Sequence, residues 1–177
     1  MTAQQRLSRT AGGAFLALMA TFSLRAAQAP ASSSTTLTVG GDVATVLTLT
    51  STDLTLMPRV RLEATSEDGT THAYEGVLVG ELLKRAGAPV GAELRGSAFA
   101  TYVLASASDG YQVVFSIAEL DPAFTSNDIM VADIVDGKPL TGSQGAFRIV
   151  APKDLRGSRS VRMLERLDLV RLRKSPR

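Results

Sequence analysis

Alternating apolar and polar residues predict that short β-strands make up most of the chain. A period of two is typical of strands with one buried face, and short apolar runs between turn residues are typical of central strands. The dipeptides Asp68-Gly69 and Asp109-Gly110 predict two hairpin turns. The predicted strands are residues 43–50, 59–65, 70–74, 99–105, 111–115, 129–135, 146–151 and 167–171.

Helical periodicity is confined to short segments. A helix is predicted at residues 77–86, where four apolar residues share one face and Gly87 is placed as the C-terminal cap. Ser116 and Glu119 have the spacing of a capping box, which predicts a second short helix. Residues 140–145 are predicted to form a flexible loop. Because strands predominate over two short helices, the predicted fold class is α+β.

The N-terminal segment has the pattern of a secretory signal. Within residues 1–29, Arg6 and Arg9 precede an apolar stretch that small residues follow. The stretch is shorter than the ~20 residues that a spanning helix needs, so export is predicted rather than a stable membrane span. Without an adjacent arginine pair, the signal indicates general secretion to a periplasmic or extracellular location. Residues 30–36 are predicted as a flexible tether and residues 37–177 as one domain.

Composition excludes several kinds of site. The chain has no cysteine, which excludes disulfides, thiolate zinc sites, iron–sulfur clusters and a cysteine nucleophile. His72 is the only histidine, so no functional role is assigned to it. Three tyrosines and no tryptophan argue against nucleic-acid binding. Residues 148–177 hold ten basic and three acidic residues, so a negatively charged partner would meet the C-terminal end.

One stretch near the C-terminus is the strongest candidate site. In residues 152–164 (PKDLRGSRSVRML), Arg156, Arg159 and Arg162 recur every third residue, and glycine and serine residues such as Ser160 separate them. Guanidinium groups are planar forks of donors that suit phosphate and carboxylate oxygens, so the stretch predicts an anion pocket. The same spacing is also typical of a solvated surface, and spacing alone does not decide between the two.

Five short motifs resemble those of a known family. They are residues 74–87 (YEGVLVGELLKRAG), 108–111 (SDGY), 134–140 (IVDGKPL), 147–152 (FRIVAP) and 157–164 (GSRSVRML). These runs are similar to W-x-G-V-P-L-x-x-L-L-x-x-A-G, A-D-G-Y, M-N-G-x-P-L, L-R-L-V-V-P and G-A-R-S-V-K-W-L. That series occurs, in this order, in the molybdopterin-binding domain of the sulfite oxidase family. The resemblance implies the sulfite oxidase-type fold, mostly β with short helices.

The resemblance also implies which residues contact a ligand. Arg159 and Arg162 match the two basic positions that hold the cofactor's pterin and phosphate in that family, and Arg156 and Ser160 are further candidates. Tyr111 matches a tyrosine that lies near the substrate oxyanion in oxidases of this fold. A strand residue with its ring packed and its hydroxyl in water remains the alternative for Tyr111.

The sequence departs from the family at the metal. The family's molybdenum is held by a cysteine in a segment that corresponds loosely to Ala64, Thr65 and Ser66, and no cysteine is present. Met163 stands where the family has a tryptophan. We therefore expect a non-catalytic domain that binds an anionic small molecule or pterin phosphate through the arginine cluster. Two alternatives stay open: an oxidoreductase that holds molybdopterin without the thiolate, and a protein–protein interaction module.

Overall fold

Two five-stranded sheets form the framework of the described protein. The computed structural model describes residues 36–66 and 68–173, and the segment predicted as a signal, residues 1–29, lies outside them. The strands are β1 (Leu37–Gly41), β2 (Leu47–Leu49), β3 (Val60–Thr65), β4 (Thr71–Leu78), β5 (Thr101–Ala107), β6 (Gln112–Ser116), β7 (Met130–Val135), β8 (Lys138–Pro139), β9 (Arg148–Val150) and β10 (Leu164–Arg171). This composition confirms the predicted fold class.

The helices between the strands are all short. Two are α-helices, α1 (Ser51–Thr55) and α2 (Val79–Arg85). The 3-10 helices are Gly91–Glu93, Gly96–Phe99, Ile117–Leu120, Gly142–Gln144 and Gly157–Arg159. Across the described residues, none of these helices has the length and apolar character needed to cross a membrane.

The first sheet joins distant parts of the chain. Its strand order is β2-β1-β10-β5-β6. β1 and β10 pair in parallel, with Val39 opposite Leu167, and the other neighbours pair antiparallel. β10 therefore occupies the centre of this sheet, between the first described strand and the β5–β6 hairpin.

The second sheet is antiparallel, and at one position the backbones of two neighbouring strands approach each other very closely. Its order is β3-β4-β7, and both β8 and β9 pair with β7. The register of β4 against β7 shifts between Glu75 and Gly76. At this bulge a Cβ atom on Gly76 would overlap the carbonyl oxygen of Val131. This close approach of β4 to β7 therefore requires glycine at position 76.

The second sheet has a buried cluster on each face. Val77, Val131 and Ile149 belong to the main core, which also takes inward residues of the first sheet and of α2. Tyr74 and Val150 belong to a smaller cluster, which also contains Met130, Ala132 and Leu140. Because side chains alternate along a strand, Arg148 lies on the same face of β9 as Val150, towards the smaller cluster.

Both predicted hairpins are confirmed, and several boundaries differ from prediction. The strand predicted at residues 43–50 is reduced to β2, because Thr50 and Asp53 form a capping box that begins α1. The helix predicted from residue 77 begins at Val79, because Val77 and Leu78 still pair with β7. The predicted capping box at Ser116 and Glu119 is confirmed, and it begins a 3-10 helix.

A carboxylate fastens the turn after β7 to the β3–β4 hairpin. Asp136 accepts hydrogen bonds from the backbone N–H of Ala73 at 2.9 Å, and its other oxygen lies 2.7 Å from Nδ1 of His72. The bond to His72, followed by the bond from Ala73, lowers the pKa of Asp136 below its ordinary value. Stability from this carboxylate is present above its unfolded pKa and is lost as the pH falls through the folded value.

Asp136→Asn should therefore make the free energy of unfolding depend less strongly on pH in the acidic range. Between about pH 5 and pH 2, the free energy of unfolding should fall less steeply in the variant than in the wild type. Chemical denaturation at a series of pH values measures this slope. Asp128→Asn, at an exposed carboxylate, is the matched control and should keep the wild-type slope. Equal slopes for Asp136→Asn and wild type would contradict the assignment.

Candidate functional site

Four segments of the chain meet around one cleft of about 550 Å³. Its lining comes from the β3–β4 hairpin, the β5–β6 turn, the loop that leads into β9, and the segment before β10. The lining residues are Ala64, Thr65, Ser66, Asp68, Tyr74, Asp109, Tyr111, Gln144, Arg148, Gly157, Ser158, Ser160 and Arg162. This volume is in the range of sites that bind small organic molecules.

Arg148 is a partly buried cation in the wall of this cleft. Its Nη1 donates to the hydroxyl of Tyr74 at 3.0 Å and to Oε1 of Gln144 at 2.6 Å, and the guanidinium lies 4.9 Å from the centre of the Tyr74 ring. Its Nε is buried without a hydrogen-bond partner, and no carboxylate pairs with it among residues 36–66 and 68–173. Arg148 is therefore a positive charge that the described protein leaves without a counter-ion.

The pKa of Arg148 is consistent with this environment. Burial lowers the pKa below the ordinary value for arginine, Tyr74 opposes the change, and the nearby charge of Arg162 lowers the pKa further. An anion between the two guanidinium groups would neutralise the repulsion between their charges and would give Arg148 the counter-ion that the described protein lacks.

Arg162, Ser160 and Gly157 line the cleft from the segment that precedes β10. Arg162 is exposed, and within the described part of the chain no carboxylate pairs with it. The hydroxyl oxygen of Ser160 accepts a hydrogen bond from the backbone N–H of Ala151 at 3.3 Å. Gly157 adds no side chain, so a ligand can approach the backbone closely there.

Tyr111 lies in the cleft and links two of its walls. Its hydroxyl donates to the carbonyl oxygen of Ser158 at 2.7 Å, and 46% of its surface is exposed. The ring therefore presents a face to the cleft while the hydroxyl fastens the β5–β6 turn to the Gly157–Arg159 helix.

The structure places Arg159 outside the cleft lining. Its Nε and Nη2 each donate to Asp154 at 2.8 Å, its Nη1 donates to Glu119 at 2.8 Å, and it lies 5.0 Å from the centre of the Phe115 ring. The hydrogen bonds that Arg159 donates to Asp154 and to Glu119 raise the pKa of Arg159 above its ordinary value. Arg156 is exposed and also lies outside the lining.

The three arginines separate because the backbone changes direction between them. Arg156 is extended, a 3-10 turn follows at Gly157–Arg159, and Ser160 ends that turn. Regular spacing in sequence would place them on one face only if one helix continued through all three. Of the five predicted contact residues, the cleft lining includes Arg162, Ser160 and Tyr111.

Two carboxylates also face the cleft, from exposed turns. Asp68 accepts the backbone N–H of Thr70 at 2.9 Å, and Asp109 accepts the backbone N–H of Tyr111 at 2.9 Å. The bond from Thr70 lowers the pKa of Asp68. The cleft lining therefore contains basic charge at Arg148 and Arg162 and acidic charge on two exposed turns.

Comparison with known proteins identifies the family. A family model described as "Oxidoreductase molybdopterin binding domain" matches residues 26–176. The chain belongs to this family. Among solved structures, the sulfane dehydrogenase SoxCD from Paracoccus pantotrophus is similar, with 22% identity and a TM-score of 0.60. The alignment covers 76% of this chain and 37% of the SoxCD chain, so this protein spans just over a third of that relative's length.

The SoxCD similarity supports the fold alone. Together, the family match and this structure confirm the predicted sulfite oxidase-like fold. No curated protein sequence matches this chain.

The donor atoms of the cleft fit the anionic part of a molybdopterin better than its metal. Molybdenum in this family implies a soft thiolate ligand, and the chain has no cysteine. Where the family's cysteine segment was expected, Ala64, Thr65 and Ser66 line the cleft with a methyl group and two hydroxyls. No group of three metal-ligating side chains occurs in the described ranges. A thiolate-held molybdenum therefore does not fit, whereas Arg148 and Arg162 fit a phosphate.

Sequence reasoning missed Arg148 and Tyr74 as site residues. The available signal was a single arginine inside the apolar run at residues 146–151, since a charge in a buried strand needs a partner or a ligand.

Proposed function

We propose that this protein is an exported, non-catalytic binding domain that holds a phosphorylated small molecule, such as a pterin phosphate, between Arg148 and Arg162. The observation that supports this most is Arg148, a partly buried guanidinium in the cleft with an unsatisfied Nε and no carboxylate partner in the described chain. A buried cation of this kind is costly unless an anion neutralises it.

The other lining residues suit a phosphate with an organic body. Two guanidinium groups present fixed forks of donors that match phosphate oxygens. The cleft is larger than a phosphate, and the half-exposed ring of Tyr111 offers apolar surface to the remainder of the ligand. A planar heterocycle such as a pterin fits this combination of charge and an aromatic wall.

Two observations support a non-catalytic role. The chain lacks the cysteine that would hold molybdenum, so redox chemistry at that metal has no protein ligand. His72, the only histidine, pairs with Asp136 and does not line the cleft, so it is not placed to move a proton for a bound ligand.

Export is part of the proposal. The pattern of residues 1–29 favours general secretion, in which the chain crosses the membrane unfolded. A domain exported in this way would take up its ligand after folding outside the cytoplasm. The exposed position of Arg162 is compatible with such late binding.

A titration with phosphate tests the proposal. Amide chemical shifts should change on addition of inorganic phosphate and, with higher affinity, of a pterin monophosphate. Arg162→Ala should weaken phosphate binding about 10-fold, because it removes one charge-assisted set of hydrogen bonds. Arg156→Ala is the matched control, since it removes an exposed arginine of the same segment outside the cleft, and it should change the affinity less than about 2-fold.

Two results would overturn the proposal. Equal losses for Arg162→Ala and Arg156→Ala would indicate a general surface charge rather than a site. A stoichiometric amount of molybdenum in protein purified from its native compartment would favour an oxidoreductase that holds the cofactor without a thiolate.

A further inference from the structure

The side chain of Arg159 makes more contacts with its neighbours than a typical surface arginine does. Its guanidinium forms two parallel hydrogen bonds to Asp154, each 2.8 Å long, and a third to Glu119, also 2.8 Å. The same group lies over the ring of Phe115 at 5.0 Å. The side chain of Arg159 is 33% exposed, so these contacts are partly shielded from water.

The carboxylate of Glu119 is also held by a capping box, in addition to its contact with Arg159. Its Oε1 accepts the backbone N–H of Ser116 at 2.6 Å, and the hydroxyl of Ser116 accepts the backbone N–H of Glu119 at 3.3 Å. This capping box begins at Ser116, the last residue of β6, and Phe115 on that strand is buried. Arg159 is therefore joined to the C-terminal end of β6 in the first sheet.

A second contact joins the Gly157–Arg159 helix to the opposite end of β6. Tyr111, which directly precedes β6, donates its hydroxyl to the carbonyl of Ser158. The Gly157–Arg159 helix is thus tied to both ends of one strand, by Ser158 at the start and by Arg159 at the end. Ser160 and Arg162, which line the cleft, follow directly after the second tie.

We propose that Arg159 is a positioning residue for the phosphate site. It acts through Asp154 and Glu119 to hold the segment that presents Ser160 and Arg162, and it does not contact the ligand. This inference rests on the proposed function. The alternative to positioning is direct contact with the ligand. In that case Arg159 would have to break three charge-assisted hydrogen bonds to reach an anion in the cleft.

Neutral variants of the two carboxylates distinguish positioning from contact. Glu119→Gln removes the charge that Arg159 pairs with, while a glutamine keeps the capping bond from Ser116. Asp154→Asn weakens the other ion pair. If Arg159 acts by positioning, both variants and Arg159→Ala should weaken binding of inorganic phosphate, each roughly 3-fold to 10-fold, and the double variant of Glu119 and Arg159 should be no weaker than Arg159→Ala.

Direct contact predicts the opposite sign for two of these variants. Removing a carboxylate would free the guanidinium and reduce negative charge, so Glu119→Gln and Asp154→Asn would bind phosphate more tightly than the wild type. That result would overturn the inference while leaving the proposed function intact, provided that Arg162→Ala still weakens binding. If the wild type shows no Arg162-dependent binding of phosphate, the proposed function and the inference both fail.

A second measurement needs no ligand. Backbone amide relaxation should show increased motion at Ser158 and Ser160 in Arg159→Ala and Glu119→Gln, because one of the two ties to β6 is lost. Arg162→Ala should leave these amides unchanged, since Arg162 has no part in either tie. Unchanged order at Ser158 and Ser160 in Arg159→Ala would overturn the positioning role.

Discussion

Arg148→Met is expected to lower the affinity for phosphate by about 100-fold or more. The larger effect relative to Arg162→Ala follows from burial, because a charged hydrogen bond is stronger where water is partly excluded. Methionine replaces the apolar stem of arginine with atoms of similar volume, so the smaller cluster around Tyr74 and Val150 should stay packed. Amide shift titrations with inorganic phosphate measure the affinity.

The fold should tolerate the same substitution. Removing a partly buried charge without a counter-ion offsets the loss of its hydrogen bonds to Tyr74 and Gln144, which water in the open cleft can replace. We expect the free energy of unfolding to change by less than about 1 kcal/mol. Chemical denaturation measures this change.

Arg61→Met is the matched control for Arg148→Met. Arg61 is 66% exposed on β3 and makes one long contact of 3.4 Å with Glu75. The control variant should keep wild-type affinity and stability. If Arg148→Met bound phosphate as the wild type does, Arg148 would be excluded from the site. A large loss of stability instead would show that Arg148 serves the fold.

Gly76→Ala is expected to destabilise the protein by about 3 kcal/mol or more. The added Cβ would overlap the carbonyl of Val131, and a clash with backbone cannot be relieved by a rotamer change. Either β4 must separate from β7 or the bulge between Glu75 and Gly76 must slip. Because β4 is the second strand of its sheet and carries Tyr74, the cleft should be disrupted together with the sheet.

Thermal and chemical denaturation measure the effect of Gly76→Ala. Gly157→Ala is the control, because a Cβ there meets no atom within 4 Å. It should change the free energy of unfolding by less than about 0.5 kcal/mol. A Gly76→Ala variant as stable as the control would show that β4 and β7 have more space between them at this position than the geometry indicates.

Local features of this fold could be predicted from the sequence because their signals are local. The Asp68-Gly69 turn and the capping box at Ser116 depend on residues within four positions of each other, and both are confirmed. The parallel pairing of β1 with β10 could not be predicted, because strand periodicity contains no information about a partner more than a hundred residues away.

The site was predictable to a smaller extent for a related reason. The spacing of Arg156, Arg159 and Arg162 suggested a common surface, yet carboxylates from distant positions decide which arginines remain available. Glu119 lies 40 residues before Arg159, so its pairing is a property of the fold. Conversely, Arg148 belongs to the cleft because its strand lies beside β7 and opposite Tyr74, which only the tertiary structure shows.

The central position of β10 sets the order in which the first sheet can form during synthesis. Residues 164–171 are translated after all the other described strands, yet they separate the β1–β2 pair from the β5–β6 hairpin. Until β10 emerges, β1 and β5 each have an unpaired edge of the kind that promotes association between chains. The first sheet therefore cannot close until residues 164–171 are available to pair with both β1 and β5.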